Sequence, residues 1–103
     1  MSYILKSITV KNHPVLHLQF TDGFAGDLDL AETIARGSMF TPLNDPQFFA
    51  KVQMASDGYS FGWLLDDLSN ELDFSAEGAR IDLESLLVKK TAHAYRARIE
   101  AAE

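Results

Sequence analysis

A five-residue stretch, Gly58-Tyr59-Ser60-Phe61-Gly62, matches the G-x-S-x-G pattern that surrounds the nucleophilic serine of many hydrolases. Acidic residues and then His93 follow it in the order serine, acid, base. The pattern works only with a strand before the serine and a helix after it, because that sharp turn exposes the hydroxyl. Here a turn precedes Ser60 and an extended stretch follows it. We therefore interpret Ser60 as an ordinary strand residue and predict no catalytic residue.

Metal ligands are the second chemistry to weigh. His13 and His17 are four residues apart, a spacing that brings two ligands together only on a helix, and Pro14 argues against a helix there. The acidic run from Asp66 to Asp73 lacks the alternating oxygen ligands of a calcium loop, so a solvated acidic face is the simpler interpretation. We expect neither a metal site nor a cofactor.

A small-ligand pocket is the alternative function that the residues leave open. Tyr59, Phe61 and Trp63 alternate along an extended stretch and are predicted to share one face, and Asp66 and Asp67 follow closely. Aromatic walls with a few polar groups are typical of ligand sites. The alternative is therefore a small-ligand-binding protein or an enzyme with its pocket near Trp63, Asp66 and Asp67.

Two hairpins are the elements that must position these side chains. Leu16, Leu18 and Phe20 alternate with polar residues, and a turn at Thr21-Asp22-Gly23 follows. A second hairpin is predicted around Asp57-Gly58, a strong turn signal. Short helices are predicted after the capping residues near positions 29 and 45. The pattern predicts an α+β fold in which two antiparallel β-hairpins form a small sheet, with short intervening helices and one long C-terminal helix.

The C-terminal helix is predicted over residues 82–101, after a body spanning residues 4–81 of a single domain, because this stretch contains no Gly or Pro. Two apolar rows run along it at helical spacing, and one domain covers only one of them easily. The first row, predicted to pack on the sheet, is Leu83, Leu87, Ala94, Ala97 and Ala101, with Leu86 beside it. The second row, predicted to meet a partner, is Val88, Ala92, Tyr95 and Ile99. A wide core face with a frayed tail is the competing interpretation.

Composition narrows the classes of partner. The 103 residues carry a formal net charge of −6 and no Cys, so disulfides, Cys-ligated metals and a thiol nucleophile are excluded. The acidic balance makes nucleic-acid binding unfavourable, because phosphate contacts depend on Lys and Arg. No apolar run approaches the roughly 20 residues of a membrane span. We expect a cytoplasmic protein that forms a homodimer or binds a small protein partner.

Short motifs in a fixed order, over about residues 4–72, carry a family resemblance. They are Phe20-Thr21-Asp22-Gly23, Leu28-Asp29-Leu30, Gly37 to Phe40, Pro42-Leu43-Asn44-Asp45, Phe48, Gly58 and Trp63. In these motifs the chain resembles the small bacterial domain of unknown function numbered 2442, although its segment after Trp63 departs from the usual family ending. The resemblance implies a compact α+β domain. Some relatives carry an added helix-turn-helix or sit beside small toxin-antitoxin-type proteins, which implies a regulatory role.

Taken together, these features predict a non-catalytic interaction or regulatory module rather than an enzyme. The resemblance implies no catalytic residue, and the C-terminal helix gives the strongest indication of a partner.

Overall fold

The computed structural model describes the backbone of residues 3–102 and the side chains of residues 3–94. In this part of the chain an α+β fold is present, which confirms the predicted class. Its elements, in chain order, are β1 (Leu5–Asn12), β2 (Val15–Phe20), β3 (Ala25–Asp29), α1 (Ala31–Ala35), a 3₁₀ helix (Ser38–Asn44), α2 (Pro46–Phe49), β4 (Gln53–Met54), β5 (Ser60–Trp63), β6 (Leu72–Ser75) and α3 (Ala76–Ala102).

The strands form two three-stranded antiparallel sheets, in the orders β1-β2-β3 and β4-β5-β6, where the sequence predicted one small sheet. Strand β6, the third strand of the second sheet, was not predicted. It pairs with β5 through Trp63 opposite Leu72 and Ser60 opposite Ser75. Its sequence is short and acidic, and only Leu72 and Phe74 turn towards the core, so its alternation is too brief to stand out.

Both predicted hairpin turns are present. Gly23 has a φ of +94° and Gly58 a φ of +75°, conformations that glycine adopts without steric cost. Asp22 also accepts a hydrogen bond from the backbone amide of Phe24 at 3.2 Å, as expected for an aspartate in a turn. The second turn joins the two sheets, because its Gly58 carbonyl accepts a hydrogen bond from the Leu5 amide at 2.8 Å.

Aromatic side chains fill the core between the second sheet and the short helices. Trp63 is fully buried and donates its indole N–H to the Phe49 carbonyl at 2.9 Å, which satisfies its one polar atom. Phe61 and Phe74 stack at 5.5 Å between ring centroids, and Phe74 also stacks on Phe40. The remaining core includes leucines on β1, β2 and the 3₁₀ helix, together with apolar residues of α1 and of the start of α3.

Helix α3 begins at Ala76, six residues before Asp82, the first residue of the predicted helix, so the body ends at Ser75 rather than at residue 81. Ser75 caps the helix, since its hydroxyl oxygen accepts a hydrogen bond from the Gly78 amide at 3.0 Å. Gly78 obscured this start in the sequence, because glycine is unfavourable in a helix relative to alanine, but the Ser75 cap compensates for it. At about 1.5 Å per residue, the 27 residues of α3 extend about 40 Å, and the molecule measures 57 Å along its longest axis.

Candidate interface on the C-terminal helix

The first two turns of α3 are seated on the body through small and apolar side chains. Ala76, Ala79 and Leu83 are buried on one side of the helix. Leu83 lies over Gly26 of β3, where a β-carbon would come within 3.2 Å of a Leu83 methyl carbon. The absence of a side chain at Gly26 therefore sets how closely the helix approaches the first sheet.

Arg80 fixes the rotation of α3 about its own axis. Only 6% of this residue is exposed. Its guanidinium carbon lies 4.3 Å from the ring centre of Tyr3 and 4.0 Å from that of Phe24, and Phe20 flanks it at 5.0 Å. Such a cation over aromatic rings is stabilising when water is excluded.

Two carboxylates complete the surroundings of Arg80. Its Nη1 donates to Asp22 at 3.0 Å and its Nε donates to Glu84 at 2.9 Å. Burial alone would lower the pKa of Arg80, but the hydrogen bonds to Glu84 and Asp22 outweigh it and raise the pKa above the ordinary value. The guanidinium therefore stays charged, and it ties α3 to the turn of the first hairpin.

The opposite side of α3 presents a stripe of small and apolar residues to solvent. Val88 is 67% exposed and Ile81 is 56% exposed, and Ser85 and Ala92 are exposed between and beyond them. We call Ile81, Ser85, Val88 and Ala92 the α3 stripe. Its members are spaced alternately by four and three residues, the spacing of a coiled-coil seam.

The predicted interface residues fall on this stripe as far as the structure describes them. Val88 and Ala92 are exposed on it, whereas the side chains of Tyr95 and Ile99 lie outside the described residues. In the sequence these two continue the same spacing. Ile81 and Ser85 were missed as members because the predicted helix began only after Asp82.

The first apolar row was expected to pack on the sheet, and this is wrong beyond Leu83. Leu87 is 54% exposed and Ala94 is exposed, while Ala97 and Ala101 have side chains outside the described residues. The reason is geometric, because the helix runs past the edge of the body. All ten residues from Ser85 to Ala94 are exposed.

A groove of about 800 Å³ runs alongside the stripe, between α1 and the first half of α3. Its floor is apolar and includes Leu83. Its walls carry the acidic residues Asp29, Glu32 and Asp82, with Arg36 and Lys89 as the basic ones, and Asp27 lies at the end that β3 forms. The surface around the start of α3 is therefore largely acidic.

Of the five residues predicted to line a ligand pocket near Trp63, only Asp66 lines the depression of about 380 Å³ beside β4 and β5. Phe61 and Trp63 are fully buried in the core, Tyr59 is half exposed in the turn before β5, and Asp66 and Asp67 lie exposed on the following loop. The five residues do not face one cavity, because the expected shared face of the strand points into the core. Asp67 instead accepts hydrogen bonds from the Asn70 side chain and the Ser69 amide, which lower its pKa.

His13 and His17 bind different structural partners. His13 donates from Nε2 to the Leu43 carbonyl at 2.7 Å, and His17 donates from Nδ1 to Asp27 at 2.7 Å. Hydrogen bonds from Lys11 and then His17 hold the pKa of Asp27 below its ordinary value. Among the described residues, no group of three metal-ligating side chains comes together.

Ser60 opens β5, and the strand continues through Phe61 to Trp63. A strand rather than a helix therefore follows the serine, so the hydrolase-like motif lacks its required turn. Within the residues described, no helix has the length and apolar character that crossing a membrane requires.

Comparisons of the chain with protein-family models, curated proteins and solved structures found no match. The resemblance to the domain numbered 2442 therefore remains a prediction that rests on its short motifs.

Proposed function

We propose that this protein is a non-catalytic interaction or regulatory module that acts as a homodimer through the α3 stripe. The observation that carries the proposal is the exposure of Ile81 and Val88 on the far side of a helix whose near side is anchored by Arg80 and Leu83. Because the helix cannot roll over to bury both sides, the stripe needs a second molecule to remove it from water.

The projecting half of α3 adds a second reason. Ten successive residues from Ser85 to Ala94 are all exposed to solvent. Helices of this length are marginal in water on their own, since most helical stability in proteins comes from packing of an apolar face. A partner helix supplies that packing, and a second copy of this chain brings the same stripe to a two-fold interface.

The regulatory part of the proposal rests on the resemblance to the domain numbered 2442, whose relatives include fusions and neighbours of regulatory type. A small protein partner in place of a second copy, and a cytoplasmic location suggested by the cysteine-free composition, belong to the same proposal.

The test compares two double variants by sedimentation equilibrium and light scattering. Ile81→Asp with Val88→Asp places charges on the stripe and is expected to convert dimers into monomers, because a buried unpaired carboxylate is costly. Met39→Asp with Leu68→Asp is the matched control, since both residues are exposed apolar side chains away from α3. The control should stay dimeric. A wild-type chain that is already monomeric up to about 0.5 mM, where even weak pairs form, contradicts the proposal.

A further inference from the structure

We infer that the groove between α1 and α3 is a docking site for a basic amphipathic helix of a partner protein. Ile81 and Ser85 lie where the groove borders the α3 stripe, whereas Val88 and Ala92 belong to the stripe and do not line the groove. The docking site is therefore a second surface, and it goes beyond the proposed homodimer without depending on it.

The groove is elongated along α3. Gly78 and Lys89 both line it, and at about 1.5 Å per residue they lie about 16 Å apart along the helix axis. Glu32 and Arg36 of α1 line the other side. A groove of this length beside a helix accommodates about three turns of a second helix, as in the helix-in-groove mode of peptide recognition.

Apolar side chains form the floor of the groove and part of its α3 side. Phe61 and Leu83 are buried at the floor, and Leu28 and Phe74 are half-buried. Leu86 on α3 also lines the groove and is 44% exposed. The apolar face of an amphipathic helix would remove this surface from water, which is favourable in proportion to the area covered.

The charged groups lie around the rim, a distribution that favours a protein segment over a small ligand. Asp29, Glu32, Arg36, Asp82 and Lys89 line the groove and are all exposed. Among the described residues, every buried side-chain N or O atom has a hydrogen-bond partner, so the floor offers no unpaired polar group to orient a small molecule. An apolar centre with a polar rim is instead the anatomy of a protein interface.

The sign of the rim charges favours a basic occupant. The exposed carboxylates Asp29, Glu32 and Asp82 outnumber the cations Arg36 and Lys89, and the whole chain has a formal net charge of −6. Complementary charge speeds association and suppresses wrong partners. A second copy of this chain brings the same net negative charge, so it fits the groove less well than a basic segment does.

Two synthetic peptides serve as probes of the groove. Each has about 15 residues, enough to cover the groove as a helix, with leucines at helical spacing on one face. The other face carries lysines in the basic peptide and glutamates in the acidic one. Thermophoresis of the labelled full chain at about 1 μM, which keeps a weaker homodimer dissociated, should give a Kd of about 10–100 μM for the basic peptide. The acidic peptide should bind at least about tenfold more weakly.

Leu86→Asn and Val88→Asn form a matched pair that separates the groove from the stripe. Leu86 lines the groove and lies outside the stripe, whereas Val88 has the opposite placement. Leu86→Asn should weaken binding of the basic peptide about tenfold, because an apolar contact is lost and an amide is desolvated. Val88→Asn should leave the affinity within about twofold of the wild type. Urea unfolding of both variants verifies that they fold.

Reversal of rim charges tests the electrostatic part of the inference. Glu32→Lys with Asp82→Lys should weaken binding of the basic peptide at least about tenfold. Asp66→Lys with Glu71→Lys is the matched control, since it changes the net charge equally at exposed residues of the depression beside β4 and β5, which shares no lining residue with the groove. The control should change the affinity less than about threefold at physiological salt, where charges beyond about 8 Å are screened.

Three results would overturn the docking site. They are no binding of the basic peptide up to about 0.5 mM, equal affinity for both peptides, and a loss in Val88→Asn or in the charge control as large as that in the matching groove variant. Sedimentation of the unliganded chain decides the homodimer separately. A monomeric chain that binds the basic peptide through Leu86 and the rim carboxylates refutes the homodimer and leaves the docking site standing.

Discussion

Replacing Arg80 by Met tests whether the guanidinium anchors α3. Methionine keeps much of the apolar stem and removes the charge, the cation–ring contacts and the two hydrogen bonds. Arg80→Lys is the matched variant, because it keeps the charge but loses the planar fork that reaches Asp22 and Glu84 together. Both changes act at the point where the helix meets the first hairpin.

The expected magnitude follows from how exposed each partner is. Removing one member of a buried ion pair costs about 3–5 kcal/mol when the other is left buried. Here the side chains of Asp22 and Glu84 are 49% and 44% exposed, so water can solvate them and that penalty largely disappears. What remains is the loss of a shielded cation over aromatic rings and of two charged hydrogen bonds, about 2–3 kcal/mol for Arg80→Met.

Urea unfolding followed by fluorescence measures the loss, since Trp63 is the single tryptophan and is fully buried. A loss of this size lowers the melting temperature by about 10–20 °C in a domain of this length. Arg80→Lys should fall between the wild type and Arg80→Met. A change below about 0.5 kcal/mol for Arg80→Met, typical of ordinary surface substitutions, would refute the anchoring role.

Two further predictions concern the body. A β-carbon at Gly62 would lie 1.9 Å from the Leu72 carbonyl oxygen, so Gly62→Ala should separate β5 from β6 and cost about 3 kcal/mol or more. A β-carbon at Gly78 would lie no closer than 3.7 Å to any neighbouring atom, so Gly78→Ala should instead stabilise the helix by about 0.5–1 kcal/mol. Thermal unfolding of both variants checks these two predictions. The pKa of Asp22 is lowered from its ordinary value of 3.8 by the Phe24 amide and by Arg80, so the folded state binds fewer protons than the unfolded state. The stability that Asp22 contributes is therefore present above pH 3.8 and is lost as the pH falls through the lower pKa of the folded state. Asp22→Asn should therefore flatten the acid limb of a stability-against-pH curve from urea titrations, and an unchanged limb contradicts this.

The fold class could be predicted because its signals are local. Alternation at Leu16, Leu18 and Phe20, with glycine at the two turns, was sufficient to predict both hairpins. Strand β6 was missed because its pairing with β5 depends on the tertiary contacts of Leu72 and Phe74. The start of α3 was misplaced because Gly78 outweighed the capping signal of Ser75 in the sequence, whereas in the fold the cap decides.

The candidate interface was predictable only in part. The positions of Val88 and Ala92 follow from helical periodicity, but which side of a helix faces the body depends on contacts far apart in sequence. Arg80 shows this, since its partner Asp22 is 58 residues away and nothing local marks the arginine as buried. The burial of Phe61 and Trp63 has a related reason, because aromatic residues on one strand face predict burial as readily as a binding wall.

The chain consists of a body that positions the start of α3 and of the helix α3 itself, which exposes its far side to solvent. The aromatic core and the cap at Ser75 determine where α3 begins, and Arg80 determines which side faces outward. Because Arg80 and Leu83 anchor the first two turns, the exposed half keeps its stripe in one orientation. A partner helix therefore meets a surface whose direction is already set, so association loses little orientational freedom within the helix itself.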